Sequence, residues 1–170
     1  KIGKNAFAHC KMLQKVEFSN DSKLEIIEQN AFFESAIENI KIPPHVKTIN
    51  SFTFASCGKL QECDFFENSE LKVIEANAFS NSSIKSIIIP SSLEVLKDNW
   101  FFDTKNINKI KVMPNNPHFQ SYDDKFILGK SSVEKEDFDV LLFSVQNIKV
   151  ASIPSCVEII SQFAFKSCQK

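Results

Sequence analysis

Glycine is scarce, three in 170 residues, which leaves little material for the backbone loops that cradle phosphates. Charge of one sign is absent as well: 20 basic against 21 acidic residues give a net charge of -1, with no basic block able to neutralise a run of nucleic-acid phosphates. No run approaches the roughly 18 apolar residues of a membrane span, so no membrane insertion is expected within this segment. Cysteine pairs of the C-x-x-C type with matching histidines are missing, which removes the usual zinc signature. There is one tyrosine and one tryptophan beside 17 phenylalanines. The 43% apolar fraction is that of an ordinary folded core, and that core leans on phenylalanine. The opening Lys1-Ile2-Gly3, in place of a methionine and signal-like segment, fits a piece of something longer.

What is present is a repeat, and a fixed period decides what every other residue is for. Asn5-Ala6-Phe7-Ala8-His9-Cys10 returns as Asn30-Ala31-Phe32-Phe33-Glu34-Ser35, Thr53-Phe54-Ala55-Ser56-Cys57, Asn77-Ala78-Phe79-Ser80-Asn81-Ser82 and Trp100-Phe101-Phe102-Asp103-Thr104. The anchors Phe7, Phe32, Phe54, Phe79 and Phe101 are spaced 25, 22, 25 and 22 residues apart, so two repeat types alternate. Between anchors runs an L-x-x-I-x-I pattern: Leu13/Val16/Phe18, Ile37/Ile40/Ile42, Leu60/Cys63/Phe65, Ile84/Ile87/Ile89 and Ile107/Ile110/Val112. Its last two positions alternate with period 2 and mark a short strand with one buried face. A second apolar pair follows in Leu24/Ile27, Val46/Ile49, Leu71/Ile74 and Leu93/Leu96. The i, i+3 pairing of Phe with Cys, Ser or Thr in each Asn-Ala-Phe segment predicts a single helical or 3-10 turn.

After Val112 the period lapses and then resumes. Ile148, Ala151, Ile153, Pro154, Val157, Ile160, Phe165 and Cys168 each lie 111 positions after a match in the second and third units. Residues 114–147 therefore read as an insertion, a β-hairpin-like excursion with a charged, solvent-exposed loop from Lys130 to Asp139.

A unit of this length cannot bury its apolar face alone, whereas stacked units bury a continuous one. The expected fold is a strand-rich α/β repeat solenoid of six rungs over 1–170, a fragment of a longer array. Phe7-Phe32-Phe54-Phe79-Phe101 should form one ladder and Cys10-Ser35-Cys57-Ser82-Thr104 another beside it.

The runs Ile148-x-x-Ala151-x-Ile153-Pro154-x-x-Val157-x-x-Ile160-x-x-x-x-Phe165-x-x-Cys168 and Ile84-x-x-Ile87-x-Ile89-Pro90 resemble BspA-type leucine-rich repeats. Asn116-Pro117-His118-Phe119, followed by Asp123-Asp124, is similar to the interruption that family often carries. Glu28, Asn50, Glu75 and Lys97 stand where the family usually places glycine, and only Gly3 keeps it, so a different turn shape is expected there. The resemblance implies a right-handed leucine-rich-repeat solenoid with a parallel sheet on one side. It also implies a microbial or protozoan surface protein that adheres to host cells, host matrix or other microbes.

Chemistry is hard to find. Cys10, Cys57 and Cys168 share one phase of the repeat, and two rungs would hold Cys10 and Cys57 about 10 Å apart, beyond the roughly 7 Å limit of a disulfide. Cys63 replaces an inward Ile, and Cys156 is off the ladder. His9, His45 and His118 fall in unrelated phases; His9 beside Cys10 is the one suggestive pair, and neighbours in a turn point apart. An enzyme would need its site among Asp123, Asp124, Glu134, Glu136, Asp137 and Asp139, which read instead as a solvated loop. Trp100 replaces a small residue and is expected to pack under the insertion. No catalytic residue, metal or cofactor is expected.

A solenoid binds through the strand residues that face away from its core. These are Glu17, Lys41, Asp64, Ile88, Lys111 and Ser152, with Lys15, Asn39, Glu62, Ser86, Lys109 and Val150 two positions earlier. Lys41, Asp64, Phe66, Ile88 and Lys111 are the candidate protein-binding residues, on an expected concave face, and Asn20 in Asn20-Asp21-Ser22 is the candidate glycosylation acceptor. The expected role is a non-enzymatic protein-binding domain at the cell surface, contacting a host or matrix protein; an intracellular scaffold or structural spacer is the alternative.

Overall fold

Strand formation follows the alternation of the repeat. In a computed structural model, which describes residues 1–166 and 168, the strands are β1 (Asn39–Ile42), β2 (Thr48–Ile49), β3 (Glu62–Phe65), β4 (Val73–Ile74), β5 (Ser86–Ile89), β6 (Val95–Leu96), β7 (Lys109–Val112), β8 (Gln120–Tyr122), β9 (Phe126–Gly129), β10 (Val140–Ser144) and β11 (Ile159–Ile160). Four four-residue strands form a parallel sheet in the order β1-β3-β5-β7, and three two-residue strands a second one in the order β2-β4-β6. Each strand is one unit removed from its neighbour, the topology of a solenoid. The register pairs Ile40 with Cys63, Cys63 with Ile87 and Ile87 with Ile110, and all four are buried. The first unit extends both columns through single bridges, Lys15 to Asn39 and Ile2 to Ile27, with Ile27 in turn bridged to Ile49.

The Asn-Ala-Phe segments form a third column, and here the expectation of helical or 3-10 turns is corrected: no helix occurs among the described residues. The backbone instead enters the left-handed region twice per unit, at Asn5 and His9, Asn30 and Glu34, Phe52 and Ser56, Asn77 and Asn81, and Asn99 and Asp103, all with φ between 53° and 59°. A left-handed residue at every fourth position breaks a right-handed helix. It suits consecutive four-residue turns with a positive φ at the third position, as in Gly3–Ala6 and Phe7–Cys10, closed by Ala6 N–H to Gly3 O and Cys10 N–H to Phe7 O. The intervening N–H groups point to the next rung: Phe7 to Ala31 O, Phe32 to Thr53 O, Phe54 to Ala78 O and Phe79 to Trp100 O. Glu28, Asn50 and Glu75 accept the same turn-closing bond as Gly3, and Gly3 has no positive φ. The lack of glycine at these positions therefore leaves the turn unchanged.

One residue in this column is conformationally misplaced. Phe52 stands at φ 59° where the other units place asparagine, a region costly for a bulky side chain and tolerated by Asn. It belongs to neither apolar cluster. Phe52→Asn should raise stability by about 1 kcal/mol, a gain of roughly 2 to 4 °C in a chain of this size. A thermal melt that moves downward would show that the exposed ring contributes more than the strain costs.

Inside, the anchors stack. Ring centroids lie 5.0 Å apart for Phe7 and Phe32, 5.3 Å for Phe32 and Phe54, 5.3 Å for Phe54 and Phe79, and 5.2 Å for Phe79 and Phe101. The hydroxyl and thiol ladder beside them closes over the same column: Cys57 Sγ donates to Phe32 O at 3.0 Å and Thr104 Oγ1 to Phe79 O at 3.0 Å.

In segment 114–147, β8 and β9 pair antiparallel, as do β9 and β10. β10 then pairs parallel with β11 of the last unit, so it occupies a rung of the stack. Phe143 sits 6.0 Å from Phe101 and 5.4 Å from Trp100, and the buried Trp100 indole packs against it. β8 and the turn that follows it also cover the edge of β7, with Val112 N–H bonded to Ser121 Oγ and Ile110 N–H to Asp124 O. As a result residues 148–153 form no strand, and Val150 and Ser152 are not part of the sheet face, contrary to the sequence expectation.

Candidate functional site

The outward residues of β1, β3, β5 and β7 make a surface whose composition follows from the pleat. Lys41, Asp64, Ile88 and Lys111 are all exposed. Lys41 pairs in register with Asp64 and Ile88 with Lys111, so the four form one row across the sheet. Ile88 is 49% exposed, and Phe66 lies beside it, half-buried, with the Lys41 ammonium 4.0 Å above its ring. Lys41, Asp64, Phe66 and Ile88 line one shallow groove with Pro90 and Met113. Lys111 is not among the residues lining that groove and shares Asp124 with Lys109, at 3.7 and 3.6 Å. Four of the five candidate residues thus converge, and the fifth is occupied by an ion pair at the insertion.

The alternative chemistries do not assemble. All five thiols are free. Burial pushes the Cys57 thiol up to about 11 and the Cys63 thiol higher still, so neither supplies a thiolate near neutral pH. Burial also raises the Cys168 thiol; Cys156 is exposed. His9 Nδ1 faces Glu34 Oε2 at 3.3 Å and His45 Nδ1 faces Glu70 Oε1 at 2.9 Å; both are surface pairs along the stack. No cluster of three or more metal-capable side chains exists among the described residues.

The acidic residues of the insertion divide between its ends. Asp123 pairs with Lys125, and Asp124 with the β7 lysines. Asp139 departs from the expected solvated loop: it is 1% exposed and holds the Ser131 N–H at 2.8 Å, the Ser131 hydroxyl at 2.5 Å and the Lys135 ammonium at 3.2 Å. Those bonds, the Ser131 hydroxyl first, hold its carboxyl far below the usual range. Asp139 closes the loop 131–139, which carries Glu134, Glu136 and Asp137 outward.

Asn20 is exposed in a turn closed by Ser22 N–H to Ser19 O at 3.0 Å, an accessible position. Asn81-Ser82-Ser83 fits the same acceptor pattern, but its Ser82 is buried. Sequence reasoning missed Asn116, whose buried amide ties the insertion to the fourth unit, and a cleft beside Trp100. For the first the Asn-Pro dipeptide was a visible signal. The second had only the size of Trp100.

The model of the BspA type leucine rich repeat region matches in six copies over residues 1–122 and 136–170. No curated protein sequence matches significantly. Among solved structures, the pneumococcal vaccine antigen PcpA is similar at a TM-score of 0.85 and 26% identity, covering 95% of this chain and 39% of that one. A leucine rich cell surface protein from Faecalibacterium prausnitzii is similar in fold at 0.79 and 23% identity over 98% of this chain and 42% of its own. A leucine-rich repeat protein from Eubacterium ventriosum follows at 0.59 and 21%, over 82% and 41%. The chain spans about two fifths of the length of these three structures.

Proposed function

The chain belongs to the BspA-type leucine-rich repeat family, and from that premise we propose that it is a non-enzymatic protein-binding domain of a cell-surface adhesion protein. Its ligand is a host-surface or extracellular-matrix protein. The contact is made by the outward row of β1, β3, β5 and β7, with Lys41, Asp64, Phe66 and Ile88 at its centre and Lys111 at its margin. The observation that carries this reading is the exposed Ile88 beside Phe66 on an otherwise polar sheet held rigid by three hydrogen-bonded columns. Rigid presentation lowers the ordering cost of association. Asn20 is the proposed glycan acceptor. The printed descriptions of two structural neighbours, a vaccine antigen and a cell surface protein, support the extracellular placement.

The test is binding of the purified chain to host-type cells and a panel of matrix proteins, with Ile88→Asp alongside. Saturable binding should weaken at least tenfold in the variant, while its melt stays within about 0.5 kcal/mol of the parent because the side chain faces water. A folded chain that binds nothing on the panel would end the adhesion reading. Five free thiols favour a second reading, an intracellular scaffold or spacer in a reducing compartment.

A further inference from the structure

The groove beside Ile88 lies where the repeat changes length. In the third unit six positions separate Phe65 from Leu71, whereas in the fourth only four separate Ile89 from Leu93. The longer return carries Phe66 and Glu67, which line the groove together with Asp64, while the shorter one turns through the buried Pro90. Met113 follows β7 as Pro90 follows β5. It is exposed, and it lines both this groove and a second one that continues to Phe119 and Phe138 of the insertion. The two grooves meet at Met113 and make one trough along the C-terminal ends of β3, β5 and β7.

The charges of the trough are unevenly placed. Asp64 and Glu67 are exposed at the third rung, and among the described residues no ion pair reaches either. The Lys41 ammonium is turned onto the Phe66 ring, 4.0 Å away, so one positive charge stands against two carboxylates at that end. From Pro90 to Phe138 the lining holds no charged side chain, and at the far end the Lys130 ammonium lies 4.9 Å from the Phe138 ring. The trough thus has an acidic end, an apolar middle and a basic end. A cation brought onto Asp64 and Glu67 by a partner that also covers Ile88 and Met113 meets the carboxylates with water excluded, where the attraction is stronger.

We propose that the trough takes an extended segment of the partner protein, lying across the strands, with a cationic side chain on Asp64 and Glu67 and apolar side chains two and four positions on, over Ile88, Met113 and Phe138. The inference rests on the protein-binding reading of this face and names the chemistry of its partner. The spacing agrees. The third and fifth rungs lie about 10 Å apart at parallel strand spacing, and alternate side chains of an extended chain recur about every 6.6 Å on one face. A cation above the third rung therefore places the next residue of that face between the fourth and fifth rungs, at Ile88 and Met113. The one after it falls beyond the fifth, towards Phe138.

Three peptides blocked at both ends test this: Arg-Ser-Leu-Ser-Leu, the charge-reversed Glu-Ser-Leu-Ser-Leu, and Arg-Leu-Ser-Leu-Ser, which moves the apolar groups to the opposite face. Methyl NMR of Ile88 and Met113 reads binding at the trough. The first peptide should shift both methyls saturably, with half-saturation on the order of millimolar for so short a ligand, and the other two should bind at least fivefold more weakly. Asp64→Asn combined with Glu67→Gln, two exposed changes that leave the core intact, should erase the preference for arginine over glutamate. Shifts that do not saturate, equal binding of the charge-reversed or the phase-shifted peptide, or a preference that survives the double variant would overturn the inference. The adhesion reading fails separately. Binding to cells or matrix that is lost in Ile88→Asp but unchanged in the double variant would leave that reading standing and overturn this one; selective peptide binding by a chain that binds nothing on the panel would do the reverse.

Discussion

Replacing Phe54 by alanine should lower the unfolding free energy by about 3 to 5 kcal/mol. Phe54 is fully buried and is stacked on both sides, on Phe32 and on Phe79, at 5.3 Å each. Truncation removes the transfer contribution of a whole ring and leaves a void that cannot collapse. The rungs above and below are held at fixed spacing by hydrogen bonds in all three columns, such as Phe32 N–H to Thr53 O and Phe54 N–H to Ala78 O. Neighbouring rings also lose a stacking partner, worth roughly 0.5 to 1.5 kcal/mol beyond burial. Phe7 supplies the internal control. It is only half-buried and has one stacked neighbour, so Phe7→Ala should cost roughly half as much. Urea melts decide the matter: a loss below about 1 kcal/mol for Phe54→Ala would mean that the rings are not the continuous core.

The central position of Phe54 adds a cooperative effect. Each rung of a solenoid contacts only its neighbours, so stability is close to a chain of nearest-neighbour terms. A defect in the third unit weakens the coupling between the first two units and the rest, whereas one at Phe7 only frays an end. The unfolding transition of Phe54→Ala should therefore broaden as well as shift.

The strand columns were legible in the sequence because period 2 has one physical meaning. Ile40, Cys63, Ile87 and Ile110 had to face inward if their neighbours Lys41, Asp64, Ile88 and Lys111 faced out, and the same alternation placed the candidate binding row. The turn column was misread because a spacing of three between Phe and Cys or Ser fits a 3-10 turn as well as paired four-residue turns. What separates them is a positive φ, and its signal was the asparagine at 5, 30, 77 and 99, a residue that tolerates that region better than most. Val150 and Ser152 were placed on the sheet by periodicity alone. Periodicity carried no information that the β8-β9 turn would reach the edge of β7 first. β8 itself, Gln120-Ser121-Tyr122, is too short and polar to show a pattern. The cleft at Trp100 arises from a misfit between a large side chain and a neighbouring strand, which no local pattern encodes.

The joint between repeat and insertion yields the second large expected effect. Asn116 is 6% exposed and uses both ends of its amide. Nδ2 donates to Pro90 O at 3.1 Å and Leu93 O at 3.0 Å, while Oδ1 accepts from the His118 and Phe119 N–H groups at 2.8 Å each. One unit earlier, Ser92 Oγ donates to Leu71 O, the carbonyl equivalent to Leu93 O. Asn116 thus supplies, from a side chain, the donor that a further rung would bring, and it fixes the first turn of the insertion with the same group. Asn116→Ala leaves the Leu93 carbonyl and the His118 and Phe119 N–H groups without their partner, and Pro90 O with the Leu93 N–H alone, a loss of about 2 to 4 kcal/mol. Asn116→Asp separates the two halves of the role. It keeps the acceptor for His118 and Phe119 but sets a carboxylate against Pro90 O and Leu93 O, so it should destabilise at least as much as alanine. If aspartate proved close to the parent in denaturant melts, the donation to the fourth unit would carry no weight and the insertion would be held by its own turn alone. Hydrogen exchange locates the damage: in Asn116→Ala, protection should fall first at Phe119 and in β8, ahead of β1 and β3.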